Sequence, residues 1–246
     1  MDDLREHPQI AELIDTLNKN EMHKEKAEVE SLVTYIGDME KTLTEMLKEM
    51  QDMRLEINLI HNNSLRVKCQ NLVQKTEGKI KQGLALVVKV KDNFVQSAKN
   101  ALTAFKEKGK EAFRNAVKAM KVPETLDMLG KMFGKLSKEV EQDVVQVNSM
   151  QSEFNSAKGH LKNIGRLLIG REAKETEQTK SDKGVLSRFG KMLDKIGKGF
   201  GSLSQKAMDK ADQIRVSHVK ESVRNELDNL KGIKQGRTIS DPFRER

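Results

Sequence analysis

VESLVTYIGDMEKTLTEMLKEMQDMRLEINLI, residues 29–60, places apolar side chains at alternating steps of three and four. They are Val29, Leu32, Ile36, Met39, Leu43, Met46, Met50, Met53, Ile57 and Ile60. Every one of these heptad positions is apolar, the pattern of a helix that buries one seam against other helices. At about 1.5 Å per residue the run predicts a rod about 48 Å long. Val29, Ile36 and Ile57 at first heptad positions lean toward a parallel dimer. Met39, Met46 and Met53 stand where Leu would accompany them, and Met specifies geometry poorly. Val33 and Leu47 widen the stripe beyond a two-stranded seam. A dimer, a helical bundle and an adaptable docking face all remain open at this point.

Composition points the same way. Of 246 residues 33% are charged, 36% hydrophobic and only 4% aromatic, with no Trp and three Pro. Aromatics bury the most area per residue, so their scarcity argues for thin helix-on-helix seams rather than a thick core. Abundant Lys, Glu, Leu and Met favour long helices.

The net charge of +8 hides an asymmetry. Residues 1–60 carry 7 Lys/Arg against 15 Asp/Glu, residues 79–122 carry 11 against 3, and residues 183–237 carry 13 against 6. An acidic rod is thus followed by two basic segments, an arrangement that invites pairing within the chain.

Outward from the rod the chain divides as follows. Residues 1–60 hold a short amphipathic helix over 8–19 (Ile10, Leu13, Ile14, Leu17) folded back on the rod. Asn62-Asn63-Ser64 marks a turn, with Ser64 as a candidate cap. Residues 65–122 form a basic helical segment with candidate interruptions at Gly78 or Gly83. Residues 123–170 form a second heptad helix: Leu126, Leu129, Phe133, Leu136, Val140, Asp143, Val147, Met150, Phe154, Ala157, Leu161, Ile164 and Leu168. Asp143 is its one polar member, and must meet a Lys or Arg or lie where the seam opens to water. Residues 171–183 read as a polar linker. Residues 184–233 read as basic amphipathic helices, weakened by Gly190, Gly197, Gly199 and Gly201, with a separate helix over 214–230. Residues 234–246 read as a loose tail. Leu129-Gly130-Lys131-Met132-Phe133 echoes Phe189-Gly190-Lys191-Met192-Leu193, an echo open to an old duplication or to coincidence, with coincidence favoured among so few residue types.

The expected fold is therefore all-α and elongated: long heptad helices joined by basic connecting helices that can fold back as a bundle. No catalytic, cofactor-binding or metal-ligating residue emerges. The five His and the single Cys69 lack metal-ligand spacing, and Gly130-Lys131 and Gly134-Lys135 lack the phosphate-loop pattern. One Cys gives no disulfide framework, and the charged start Met1-Asp2-Asp3-Leu4-Arg5-Glu6 has no signal pattern, so a cytoplasmic protein is expected.

Three kinds of partner remain, and no small-molecule substrate is among them. The heptad seams suit a protein partner or self-association. Phe189, Lys191, Lys195, Lys198 and Phe200 form a basic amphipathic segment suited to an anionic surface at the inner membrane face, although an ordinary bundle helix shows the same pattern. Lys106, Lys108, Lys110 and Arg114, in the basic stretch 79–122, suit nucleic-acid phosphates or an anionic membrane. Pairing with the acidic rod competes with that reading, and near absence of Tyr and Trp disfavours base stacking.

The stretches Leu32-Val33-Thr34-Tyr35-Ile36-Gly37-Asp38-Met39-Glu40, Ala104-Phe105-Lys106-Glu107-Lys108-Gly109, Lys162-Asn163-Ile164-Gly165-Arg166-Leu167-Leu168-Ile169-Gly170-Arg171 and Asp182-Lys183-Gly184-Val185-Leu186-Ser187 occur in this order. Together they resemble an uncharacterised family of helical proteins carried by conjugative and related mobile elements of gut Firmicutes. The resemblance covers most of residues 8–205. It implies a bacterial host, a mobile-element context and no assigned active site. Non-enzymatic adaptor work is the expected role.

Overall fold

Four long helices and one short one make up nearly all of the described residues. The computed structural model describes residues 4–169, 171–173 and 184–235. A 3-10 turn, Leu4–Glu6, precedes α1 (Pro8–Lys19), α2 (His23–Asn58), α3 (Asn63–Lys118), α4 (Val122–Leu168) and α5 (Val185–Gln235). No strand occurs among the described residues. The all-α reading holds, with the helices folded back on one another as a bundle. Gly170 at the end of the expected second heptad helix, 174–183 of the expected linker and 236–246 of the expected tail lie outside the described residues.

Pro8 opens α1 at its first turn, where a missing N–H costs nothing. Ile10, Leu13 and Leu17 bury one face, and the chain reverses through Glu21 in a left-handed conformation (φ 59°). In α2 the whole series from Val29 to Ile57 is buried, and Ile60 just beyond it is half-buried. At roughly 1.5–3 kcal/mol per buried side chain, this seam is a major source of bundle stability. Asn62, rather than Ser64, caps α3: its Oδ1 accepts from the Leu65 N–H at 3.0 Å.

The expected breaks in α3 fall elsewhere. Gly78 and Gly83 are helical, and Gly83 lets Phe133 and Leu43 approach closely. The chain turns instead at Gly109 (φ 78°, ψ −166°), which brings the Phe105 and Phe113 rings to 5.2 Å. Only glycine adopts that conformation without strain.

α4 and α5 form an antiparallel hairpin of close approach, and here the glycine-rich stretch is explained. Gly190, Gly197, Gly199 and Gly201 lie inside one continuous helix that also takes in 214–230. Their lost helix propensity is offset by close packing: Gly190 faces Val147 and Asn148, Gly197 faces Val140, Gly201 faces Ser137, and the Met46 side chain rests on Gly199.

The sequence echo is real but belongs in another register. Residues 126–137 and 193–204 are identical at eight of twelve positions: Leu126/Leu193, Asp127/Asp194, Gly130/Gly197, Lys131/Lys198, Phe133/Phe200, Gly134/Gly201, Leu136/Leu203 and Ser137/Ser204. The two copies pair antiparallel about a local two-fold. Ser137 Oγ donates to Gly197 O at 2.8 Å, and Ser204 Oγ donates to Gly130 O at 2.7 Å. At the centre the Phe133 and Phe200 rings stack at 6.0 Å. One small-residue packing unit is used twice.

Candidate interaction surface

Burial decides which of the sequence's candidates can meet a partner. The Val29–Ile57 seam is filled by the chain's own helices, so it is not a free face for a second molecule. Tyr35, in the same helix, donates its hydroxyl proton to Leu203 O and ties α2 to α5. Burial pushes the Tyr35 phenol well above its ordinary pKa, with the Asp38 carboxylate adding to the shift.

The proposed membrane segment fares similarly. Phe189 and Phe200 are fully buried, so their helix cannot lay that face on a bilayer. Lys195 pairs with Glu49, and Lys198 pairs with Asp194 at 2.7 Å. Lys191, on the same helix, is exposed, but Phe189 and Leu193 on either side of it are buried. In the basic stretch, Lys106 meets Glu12 at 2.9 Å, while Lys108, Lys110 and Arg114 stay exposed. Lys91 meets Glu40 at 3.3 Å, and Arg188 of α5 meets Glu56 at 2.9 Å. Cations of both basic segments thus face the acidic N-terminal part.

Asp143 finds its partners inside. Its carboxylate accepts from Lys75 Nζ at 2.7 Å and Lys79 Nζ at 2.6 Å, joining α3 to α4. At the other end of the bundle Arg215 of α5 clamps Asp127 of α4, and that hydrogen bond lowers the Asp127 pKa.

A cleft of about 930 Å³ opens between the α1–α2 and α3–α4 turns. Arg114, Lys118 and Lys121 line it together with Glu21, Glu25 and Glu124. The signs are mixed, and Met22, Val29, Val117 and Val122 line it between the charges. No cluster of three His, Cys, Asp or Glu fit for a metal exists among the described residues.

What stays open is apolar surface at the helix ends. The contacts of Gly130 with Ser204 and of Gly190 with Val147 fix the hairpin register. By that register α5 begins near Met150 of α4, and α4 begins near Ile214 of α5. Beyond those points, among the described residues, each helix has outrun its hairpin partner. On α4 the heptad stripe passes abruptly from buried Met150 to exposed Phe154, Leu161, Ile164 and Leu168. On α5 it passes from buried Ile214 to exposed Val216, Val219, Val223 and Leu227. The second heptad run contained the α4 residues without a sign that they outlast their partner. The one available signal was charge: no Asp or Glu occurs between Glu153 and Glu172.

These features define an all-α antiparallel bundle with two projecting helix ends and no helix, among the described residues, long and apolar enough to cross a membrane. The chain belongs to a family of unknown function (DUF6674), whose model matches residues 6–243. No curated protein and no solved structure shows a significant match to it.

Proposed function

We propose that the chain is a non-enzymatic coiled-coil interaction protein, a cytoplasmic adaptor that presents a prefolded bundle and pairs through its projecting helix. One observation carries this reading: Val216, Val219, Val223 and Leu227 form an exposed stripe at steps of three and four where α5 has outrun α4. Such a stripe is what a partner helix packs against. Lys220, Arg224 and Glu226 flank it with both signs, so two copies of this end can face each other without a single-sign clash. The partner is accordingly a second copy of the chain. The four stretches quoted above support service to a bacterial mobile element, with the adaptor holding components of that element together.

Sedimentation equilibrium tests the reading. The expected result is a mass rising above the 27.9 kDa of one chain at tens of micromolar, and a return to one chain in Val219→Glu/Val223→Glu. A single-chain mass throughout, or association indifferent to that variant, contradicts it.

A further inference from the structure

The α4 end differs in chemistry from the α5 end. Phe154, Leu161, Ile164 and Leu168 are 42%, 69%, 54% and 81% exposed, and Leu167 and Ile169 extend the apolar surface at the tip. At about 100° per residue the first four fall within an arc of about 80°. Lys158, Lys162 and Arg166 form one line along the adjoining flank, four residues apart, with the half-buried Arg166 also donating from Nε to Glu172 O at 2.9 Å, and Arg171 follows at the tip. From Phe154 to Arg171 there is no carboxylate. The α5 end mixes Lys220, Arg224 and Glu226 instead.

The placement suits a flat partner. α2 and α4 both run antiparallel to α5, as the Tyr35–Leu203 and Glu56–Arg188 contacts show for α2 and the Gly130–Ser204 and Val147–Gly190 contacts show for α4. Their C-terminal ends therefore lie at the same end of the bundle, where Leu55 and Leu59 are also exposed.

We propose that the projecting end of α4, residues 154–168, with Ile169 and Arg171 beyond it, docks on an anionic lipid surface. The stripe enters the boundary between headgroups and acyl chains, while Lys158, Lys162, Arg166 and Arg171 meet the lipid phosphates. An apolar face this continuous exceeds what phosphate binding alone requires, and a flank of one sign lacks the carboxylates with which a mixed-charge helix pairs. This surface is separate from the α5 stripe, so either can fail without the other.

Flotation of the full chain with vesicles tests it. The chain is expected to float with phosphatidylcholine–phosphatidylglycerol vesicles at low salt and to stay behind with phosphatidylcholine alone. Leu161→Glu/Leu168→Glu alters exposed positions, leaves the circular dichroism unchanged and abolishes flotation. Lys158→Gln/Lys162→Gln/Arg166→Gln weakens partitioning about 100-fold, at roughly fivefold per cation. Failure of the unmodified chain to float at low salt overturns the proposal, as does equal flotation of the Glu variant. If the Glu variant instead abolishes self-association while no form floats, the stripe is a protein-pairing face and the lipid assignment falls.

Discussion

Lys79 Nζ lies 2.6 Å from Asp143 Oδ2 although both side chains are withdrawn from water, at 7% and 1% exposure. The pair joins α3 to α4 across 64 residues of sequence, and the more exposed Lys75 takes the other carboxylate oxygen. Removing one partner strands the other. Asp143→Ala is expected to destabilise the bundle by about 3–5 kcal/mol, read from urea unfolding. Lys79→Met/Asp143→Leu, which removes both charges, is expected to recover most of that loss. A double variant as unstable as Asp143→Ala would show that the charge itself, rather than its abandonment, matters.

Two glycine-to-alanine changes should move in opposite directions. A Cβ at Gly37 meets nothing within 4 Å, so Gly37→Ala gains helix propensity and stabilises by about 0.5–1 kcal/mol. A Cβ at Gly130 lies 3.0 Å from Met208 Cγ and 3.2 Å from the Ser204 carbonyl oxygen. The backbone oxygen cannot swing away, so the two helices must part slightly and Gly130→Ala costs about 1–3 kcal/mol net. Thermal melts of the two variants settle the point; equal stabilisation would refute the close-packed α4–α5 seam.

Cys69 is a buried free thiol, and burial pushes its pKa from about 9 up to about 11. The folded pKa lies above the unfolded one, so its contribution is fully present below about pH 9 and is lost as pH rises through about 11. The loss is about 2–3 kcal/mol on this account. Unfolding free energy followed from pH 8 upward should therefore fall less steeply in Cys69→Ala than in the unmodified chain, with Tyr35 adding a common decline at higher pH. Parallel curves would contradict the burial of the thiol.

The helices themselves are legible in sequence because heptad spacing is a local property of each run. Val29–Ile57 and Leu126–Met150 bury what their periodicity says they bury. What fills the seam is not local. Nothing in 29–60 distinguishes a second molecule from α3 and α5 of the same chain, since both present the same apolar knobs. Glycine misleads for a related reason: Gly197 and Gly201 look like helix breakers until α4 is brought against them, and only then does the absent Cβ become an asset. The repeat of 126–137 in 193–204 was visible as residues, yet its meaning needed the two-fold contact of Ser137 and Ser204. The open surfaces were hardest to find. Phe154 and Phe133 hold the same heptad position, yet Phe133 lies beside α5 and Phe154 lies beyond its start at Val185.

The central claim is that the Val29–Ile57 seam closes within one chain and leaves the α4 and α5 ends projecting. Amide hydrogen exchange at successive dilutions tests it directly, because protection made within a chain is independent of concentration. Slow exchange across 29–57, 126–150 and 186–214 that survives dilution to sub-micromolar chain is the expected result, together with fast exchange over 154–169 and 216–227. Protection of 29–57 that disappears on dilution would place a second molecule in the seam and contradict the account.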